Sequence, residues 1–328
     1  MIWSWAGLFA AFAATYVLLL GMLRSGVARM ALDMPNQRSL HTSPVPRTGG
    51  LGLMAGILIG WALLGGVWLV PFAVMGGALL AISLADDISG VAFGWRLLVH
   101  FVVAAVCVGM VFPSPVHVGW YVPLVLFVVW MINLYNFMDG ADGLAGGMAF
   151  GGFGMYGMAS WLGGDQELAF AVWTIALSSL AFLFFNFSPA RIFLGDSGSV
   201  PLGFFAGAWG IWGWERGIWD FWFPLLVFSP FIMDASVTLA KRGLTGERIW
   251  QAHREHYYQR LIRMGWSHRS VALGEFGLMA LAGVTGLFGL QMTRVGQLGV
   301  LVVWGGVYLL LMRWVDIKWA AYLINSPR

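Results

Sequence analysis

Five aspartates stand out because each one closes or follows a long apolar run of the sequence: Asp86, Asp87, Asp139, Asp142 and Asp196. Neighbouring carboxylates such as Asp86 and Asp87 repel each other unless a cation or a shared proton relieves the strain. Hard cations take oxygen ligands, and Mg²⁺ binds through one or two carboxylates together with substrate phosphates. The group therefore predicts a site for Mg²⁺ and a phosphorylated substrate. The alternative is that each aspartate only caps a helix or solvates a loop.

Two amides and two carboxylates recur at every third position of one segment: Asn133, Asn136, Asp139 and Asp142. Neighbours at i and i+3 share a face of a helix, so the spacing predicts a polar stripe that leads to the end of an apolar helix. Two glycines interrupt the segment and let backbone approach a ligand. A polar seam between packed helices is the alternative interpretation.

A second polar cluster lies further along the chain, where helical spacing predicts that His253, His256 and Tyr257 share one face. Arg254 and Arg260 add positive charge, which suits a diphosphate or a sugar phosphate. Zinc is disfavoured because no third soft ligand accompanies the two histidines. A basic helix that contacts anionic lipid remains the alternative.

The composition indicates what must position these groups. The 328 residues are 59% hydrophobic and only 10% charged, and the mean hydropathy is +0.79, whereas a soluble domain is about a quarter charged. The net charge of +3 is too small to suggest a nucleic-acid partner. We therefore expect an all-α polytopic membrane protein. No basic residue precedes the first apolar run, which favours a first span over a cleaved signal peptide.

A helix crosses the hydrocarbon core with about 20 apolar residues. Runs of this kind lie at about 3–23, 51–70, 71–86, 95–112, 120–138, 144–162, 169–187, 198–214, 220–240, 271–290 and 297–314. Because only Pro71 separates the second run from the third, the sequence predicts ten or eleven transmembrane helices, and eleven fits the charges best.

Cytoplasmic loops are rich in Lys and Arg. With eleven spans and a periplasmic N-terminus, all 18 basic residues except Arg216 and Arg294 fall inside, and the C-terminus is cytoplasmic. The chain is then a single membrane domain over residues 1–328. Its predicted cytoplasmic loops are 24–50, 86–95, 139–143, 188–197 and 241–270. The five aspartates all face the cytoplasm in this topology.

Several motifs occur in a fixed order: Pro35 to His41, Pro46 to Gly50, Asp86-Asp87, Asn133 to Gly143, Asn186, Phe193 to Ser199, and His253 to His256. Together they resemble the polyprenyl-phosphate N-acetylhexosamine-1-phosphate transferase family, of the glycosyltransferase family 4 type. The resemblance implies that a UDP-N-acetylhexosamine donates its sugar phosphate to undecaprenyl phosphate and releases UMP. This would be the first step of a lipid-linked glycan such as O-antigen or capsule.

The resemblance also implies Mg²⁺ as cofactor, with Mn²⁺ as a possible substitute, a homodimer, and a place in the bacterial inner membrane with a cytoplasmic active site. Two carboxylates are predicted to hold the metal: Asp196 and Asp86. Five residues are predicted to be catalytic: Asp86, Asp87, Asp139, His253 and His256. Six are predicted to bind substrate: Asn136, Asp142, Asn186, Phe193, Arg47 and Arg254.

Among the substrate ligands, Asp142, Asn186 and Phe193 match family positions that hold the uridine. In several members the last motif is a fuller histidine cluster, whereas Arg254 and Glu255 separate the two histidines here. That departure disfavours the phospho-MurNAc-pentapeptide translocase, which stays an alternative. The sugar (GlcNAc, FucNAc, QuiNAc or another) and the choice between a one-step and a two-step mechanism stay open.

The rival class is a secondary transporter of an anionic solute, which would keep ionisable residues near the middle of the bilayer. Asp234 and Glu275 are the ionisable residues inside or at the edge of apolar runs that could serve a transporter, and the sequence shows no internal repeat.

Overall fold

The computed structural model describes residues 2–35, 40, 43–113, 118–248 and 253–325. The helices are α1 Ile2–Ser25, α2 Gly49–Leu64, α3 Val70–Ser89, α4 Phe93–Val111, α5 Val118–Phe137, α6 Leu144–Leu162, α7 Gln166–Asn186, α8 Asp196–Glu215, α9 Trp222–Val227, α10 Ser229–Leu244, α11 Tyr257–Arg263, α12 His268–Gly289 and α13 Arg294–Asn325. One two-residue pair, β1 Leu32–Asp33 and β2 Val45–Pro46, is antiparallel. The all-α class is confirmed, and most of the motif from Pro35 to His41 lies outside the described residues.

Seven helices in the described part of the chain are long and apolar enough to cross a membrane: α1, α3 (with the short 3₁₀ turn before it), α4, α5, α7, α12 and α13. The chain is therefore a multi-pass membrane protein. Every apolar run of the sequence coincides with helix, but α2 has only 16 residues and glycines dilute α6 and α8. The count of eleven spans stays a prediction.

The ninth apolar run is two helices rather than one. α9 ends at Val227 and α10 begins at Ser229, with Pro230 in its first turn. Proline lacks the N–H of a helical hydrogen bond, so it is tolerated at the start of a helix and interrupts one elsewhere.

Successive long helices run in opposite directions, so the loops that carry the polar motifs meet at one end of the bundle, here called the site end. The predicted loop 86–95 is shorter than expected: α3 continues to Ser89 and α4 begins at Phe93. Asp86 and Asp87 therefore lie on the last turn of α3 rather than in a loop.

Helix α8 is the centre of the packing, since every residue from Ser197 to Ile211 is buried. It lies directly against α5, where a Cβ on Gly203 would come within 2.5 Å of the Met131 carbonyl oxygen. Small residues let helix backbones approach closely in lipid. This close contact brings the last turn of α5 next to the first turn of α8, where the candidate site lies.

Candidate functional site

Arg96, in the first turn of α4, joins two of the predicted carboxylates. Its Nη1 donates to Asp86 Oδ2, and it also donates to Asp196 Oδ2 at 3.3 Å. The Val91 backbone N–H donates to the other oxygen of Asp86 at 2.8 Å. Asp196 is the first residue of α8, where free amides and the helix dipole favour a negative charge. The structure thus brings Asp86 and Asp196 together through Arg96.

Asn136 completes the contacts of Asp196 from the last turn of α5. Its Nδ2 donates to Asp196 Oδ1 at 2.8 Å and to Ser199 Oγ at 3.0 Å. Because both bonds use the amide nitrogen, the side-chain oxygen of Asn136 is not engaged in either. The structure thus places Asn136 in contact with the carboxylate site.

The predicted polar stripe holds only in its first half. α5 ends at Phe137, so Asp139 and Asp142 lie in the following loop and not on a helical face shared with Asn133. Gly143 has a left-handed backbone (φ 79°) at the start of α6, a conformation that glycine adopts without strain. The stripe therefore ends with α5, and Gly143 marks the start of the next helix.

Asp139 nevertheless faces the same site. Burial and the nearby negative charge of Asp196 raise the pKa of Asp139 well above its usual range, although the Gly195 N–H donates to it and acts in the opposite direction. Asp33 of β1 adds a further negative charge nearby. A carboxyl with a raised pKa can carry a proton near neutrality and so donate a hydrogen bond.

Arg47 brings the second positive charge to the site. Its Nη1 lies 3.4 Å from Asp87 Oδ1, and its Nη2 donates to the Asp87 carbonyl at 3.2 Å. The absence of a side chain at Gly195 (φ 69°) lets the Arg47 backbone approach the start of α8, because a Cβ on Gly195 would lie 2.3 Å from the Arg47 carbonyl oxygen. Four carboxylates (Asp86, Asp87, Asp139 and Asp196) and two guanidinium groups thus surround the start of α8.

Asp142 lies apart from these four aspartates. Its Oδ1 is 3.3 Å from His268 Nδ1, and its Oδ2 accepts from the Ala190 N–H at 3.1 Å. Burial raises the pKa of Asp142, but the hydrogen bond and charge of His268, with bonds from Ala190 and Ser188, outweigh it and leave the pKa lowered. Asp142 is thus joined to α12 and to the loop after α7, whereas the contacts of the other four aspartates lie at the start of α8.

The other two predicted uridine ligands differ in what they offer. Asn186 is 4% exposed, and its amide accepts from the Gly143 N–H and donates to the Ile192 carbonyl, both at 2.9 Å. Asn186 therefore holds two loops together. Phe193 is partly exposed and is fixed by its backbone, which bonds to Pro46 and Gly49.

The histidine motif is a loop and not the predicted helical face. α11 begins at Tyr257 because the buried carboxylate of Asp234 accepts from the N–H groups of Tyr257 and Tyr258, each at 2.9 Å. The Nδ1 of His256, which is 3% exposed, lies 3.1 Å from the same carboxylate. His253 and His256 therefore precede the helix, and Asp234 anchors their loop.

The two histidine rings lie together, with centroids 4.9 Å apart. Burial, together with the nearby His256 and Arg242, lowers the pKa of His253 to about 4. Arg242 is buried and donates to Glu255 at 2.6 Å. Glu255 stands between the two histidines in the sequence. Arg254, which was predicted to bind substrate, is exposed, and the structure does not bring its side chain to the site.

Tyr258 connects the histidine loop to the loop that carries Asp139. Its hydroxyl donates to the Phe137 carbonyl at 3.2 Å. A Cβ on Gly140 would come within 2.1 Å of the Tyr258 hydroxyl oxygen. The His256 ring stacks on Phe137 with a centroid distance of 6.3 Å. The histidine loop therefore lies beside the carboxylate site, as the sequence predicts.

Sequence reasoning missed four residues that the site uses: Arg96, Ser199, Arg242 and His268. Arg96 could have been found from the sequence, because it is the first basic residue after the Asp86-Asp87 pair. Only the three-residue turn between α3 and α4 separates the two helix ends that carry them. His268 could not have been found in this way, because its partner Asp142 is 126 positions away.

The donor chemistry of the site fits a divalent cation. Among the described residues no three His, Cys, Asp or Glu side chains form a ready metal cluster. Asp86 and Asp196 nevertheless aim one oxygen each at the same Arg96 nitrogen, which marks a position for positive charge. Two carboxylates suffice for Mg²⁺ when substrate phosphates supply further oxygens, so Asp86 and Asp196 are the residues that would hold it.

Fold and site together define a multi-pass membrane protein with a carboxylate-rich polar site at one end of its helices. Residues 68–213 match the family described as Glycosyl transferase family 4. The chain is 28% identical over 261 residues to a probable undecaprenyl-phosphate N-acetylglucosaminyl 1-phosphate transferase of Bacillus subtilis (strain 168), which covers 74% of this chain and 73% of the relative.

An undecaprenyl-phosphate alpha-N-acetylglucosaminyl 1-phosphate transferase of Escherichia coli (strain K12) is 27% identical over 277 residues, or 76% of this chain and 73% of the relative. A phospho-N-acetylmuramoyl-pentapeptide-transferase of Levilactobacillus brevis is 33% identical over 174 residues, or 52% of each chain. These matches support the polyprenyl-phosphate sugar-1-phosphate transferase family, and the names of the relatives indicate a phosphotransferase. The transporter alternative is not supported.

Proposed function

We propose that this enzyme transfers an N-acetylhexosamine 1-phosphate from a UDP-sugar to undecaprenyl phosphate and releases UMP. The observation that carries the proposal is the convergence of Asp86, Asp87, Asp139 and Asp196 with Arg47 and Arg96 at the start of α8. The names of the Bacillus subtilis and Escherichia coli relatives support the lipid phosphate as acceptor.

In this reaction an oxygen of the lipid phosphate attacks the sugar-bearing phosphorus, and the bond between the two phosphates of the donor breaks. Phosphoryl transfer depends mainly on positioning and charge stabilisation. Mg²⁺ bound by Asp86 and Asp196 would neutralise negative charge on the diphosphate. Arg47 and Arg96 have guanidinium groups that suit phosphate oxygens, so substrate competes with Asp87 and Asp196 for them.

The remaining carboxylates have separate roles in the proposal. Asp139, whose pKa is raised by burial and by the charge of Asp196, is assigned to the phosphate end of the site. Asp87 is assigned to the acceptor phosphate, which would share the Arg47 guanidinium with it. Both a direct transfer and a route through an aspartyl phosphate are compatible with this arrangement.

The donor's uridine is assigned to Asp142 and Phe193, which lie on two loops that Asn186 joins. The Asp142 carboxylate is held by His268 and Ala190, and Phe193 offers a partly exposed ring for stacking. His253 and His256 reach the sugar and its phosphate from the neighbouring loop.

We further propose that the site faces the cytoplasm of a bacterial inner membrane, that the N-terminus is periplasmic and that the enzyme acts as a homodimer. The product would start a lipid-linked glycan of the cell surface, such as O-antigen or capsule. The distribution of the basic residues supports the orientation.

The second candidate is transfer of phospho-MurNAc-pentapeptide, and the 33% identity to the Levilactobacillus brevis transferase favours it. Its shared segment is only 174 residues long, whereas the N-acetylglucosaminyl 1-phosphate transferases match over 261 and 277 residues. We therefore favour a UDP-N-acetylhexosamine as the donor.

The test is a donor panel. Purified enzyme with undecaprenyl phosphate and Mg²⁺ is given UDP-GlcNAc, UDP-FucNAc, UDP-QuiNAc or UDP-MurNAc-pentapeptide, and UMP is measured. The proposal expects UMP release with at least one UDP-N-acetylhexosamine and its loss when a chelator removes Mg²⁺. UMP release with the pentapeptide donor alone would favour the second candidate.

A further inference from the structure

The last helix is longer than its apolar run requires. The sequence predicts a span that ends near residue 314, but α13 runs from Arg294 to Asn325, a length of 32 residues. At about 1.5 Å per residue the helix is about 48 Å long, whereas a hydrocarbon core is about 30 Å thick. The C-terminal part of α13 therefore extends past the core at the site end.

This extension ends in a charged network that joins three helices. Asp316 of α13 accepts from Lys241 of α10 at 2.5 Å and from Arg260 of α11 at 3.0 Å. Lys241 also donates to the Tyr257 hydroxyl at 2.6 Å. The Arg260 guanidinium lies over the rings of Tyr257 and Trp319, at 5.3 Å and 5.9 Å. One carboxylate thus fixes a face of α11.

α11 matters because it begins directly after His256. Asp234 binds the first amides of α11 on its inner side, and Asp316 binds Lys241 and Arg260 on its outer side. A cavity of about 110 Å³ lies between these helices, lined in part by Tyr257, Leu261 and Val315. Apolar packing on this side of α11 is therefore incomplete, and the polar contacts add to the core packing of Tyr258 in positioning the helix.

We infer that Asp316 is a positioning residue for the transfer reaction, acting through α11 on His253 and His256. The inference rests on the proposed function, in which these histidines reach the donor. Asp316 itself contacts no group of the carboxylate site in the described structure. It holds Lys241 and Arg260 in place, and they hold the helix that follows the histidine loop.

The effect should be moderate because the network is partly exposed: the side chains of Lys241 and Asp316 are 43% and 34% exposed. Isolated surface ion pairs contribute little, but this carboxylate serves two cations. We expect Asp316→Asn to lower kcat by about tenfold, the factor expected for a lost bond to a charged group, with KM for the donor changed less.

The experiment compares Asp316→Asn and Asp316→Glu with Lys318→Gln, a control at an exposed position on the same helix. Steady-state kinetics with undecaprenyl phosphate and a UDP-N-acetylhexosamine is combined with hydrogen exchange of residues 257–263 in micelles. Asp316→Asn should speed exchange in α11 while α8 stays protected, Asp316→Glu should recover most of the activity, and Lys318→Gln should resemble wild type. The double variant Asp316→Asn/His256→Ala should be no slower than His256→Ala, because both changes act on one element.

Wild-type kinetics and exchange in Asp316→Asn would overturn the inference. A loss that multiplies fully with that of His256→Ala would also overturn it, since Asp316 would then act by another route. If the wild-type enzyme transfers no sugar phosphate from any donor, the proposed function fails and this role falls with it. The wild-type assay distinguishes that failure from failure of the positioning role alone.

Discussion

Single residues at the start of α8 explain how the site gathers charge. Asp196 accepts from Asn136 on one oxygen and from Arg96 on the other, so three helices converge on one carboxylate. Arg96 links it to Asp86. The aspartates were evident in the sequence because charge is rare in this chain, whereas Arg96 was not, because its partner could only be assigned in three dimensions.

Asp196→Asn tests the proposed metal ligand. The amide keeps the shape and the contact with Asn136 but removes the negative charge that would bind Mg²⁺, so turnover should fall by about a hundredfold or more. Detergent stability should stay close to wild type, measured by thermal unfolding. Asp165→Asn, a change at the cap of α7 near the opposite end, is the control. Turnover within threefold of wild type would remove Asp196 from the site.

His253 gives a pH prediction with a definite sign. Burial and neighbouring charges lower its pKa to about 4, so the ring is neutral throughout the range from about pH 6 to pH 9. His253→Gln should therefore lower kcat/KM without changing the shape of the pH profile in that range. An acidic limb that is present in wild type and absent from the variant would show that His253 titrates near neutrality.

At the scale of elements, close backbone contacts between helices determine where the site residues lie. The order of apolar runs predicted the helices well, since spans are set by length and hydropathy. The breaks were less predictable: α5 ends at Phe137 and α11 begins at Tyr257. The start of α11 depends on the Asp234 carboxylate, which accepts from its first amides and which a periodic pattern within one segment does not reveal.

Gly50→Ala tests the contact between α2 and α8. A Cβ at Gly50 would lie 2.3 Å from the Gly198 nitrogen, so the two helix starts must separate and Asp196 must shift. We expect a loss of about 1 to 3 kcal/mol in unfolding free energy and at least about a tenfold loss of turnover. Gly77→Ala, where a Cβ meets nothing within 4 Å, is the matched control. Equal behaviour of the two variants would contradict the packing.

At the scale of the whole molecule, the loops with chemistry share one end of the bundle. The hydrogen bonds and ion pairs of this end join segments that are far apart in the sequence. Examples are the pair of Arg47 with Asp87 and the pair of His268 with Asp142. The positive charges predict that this end is cytoplasmic. The eleven-span topology places Pro115 outside, and this residue is not among those that the structure describes.

Cysteine labelling tests the orientation. In a Cys107→Ala background, Thr245→Cys at the site end should be protected from an impermeant reagent in whole cells, and Gln291→Cys should be labelled. Both positions are exposed on the protein surface. The reverse pattern would turn the site away from cytoplasmic UDP-sugars and contradict the proposed function.

The most direct test of the central claim is the identity of the nucleotide and the lipid formed together. Purified enzyme, undecaprenyl phosphate, Mg²⁺ and a UDP-N-acetylhexosamine are incubated, and both products are identified by mass. The account predicts one UMP for each undecaprenyl diphosphate-linked sugar, with neither product formed by Asp196→Asn. Release of UDP with a sugar on a single phosphate, or an unchanged lipid with every donor, would contradict it.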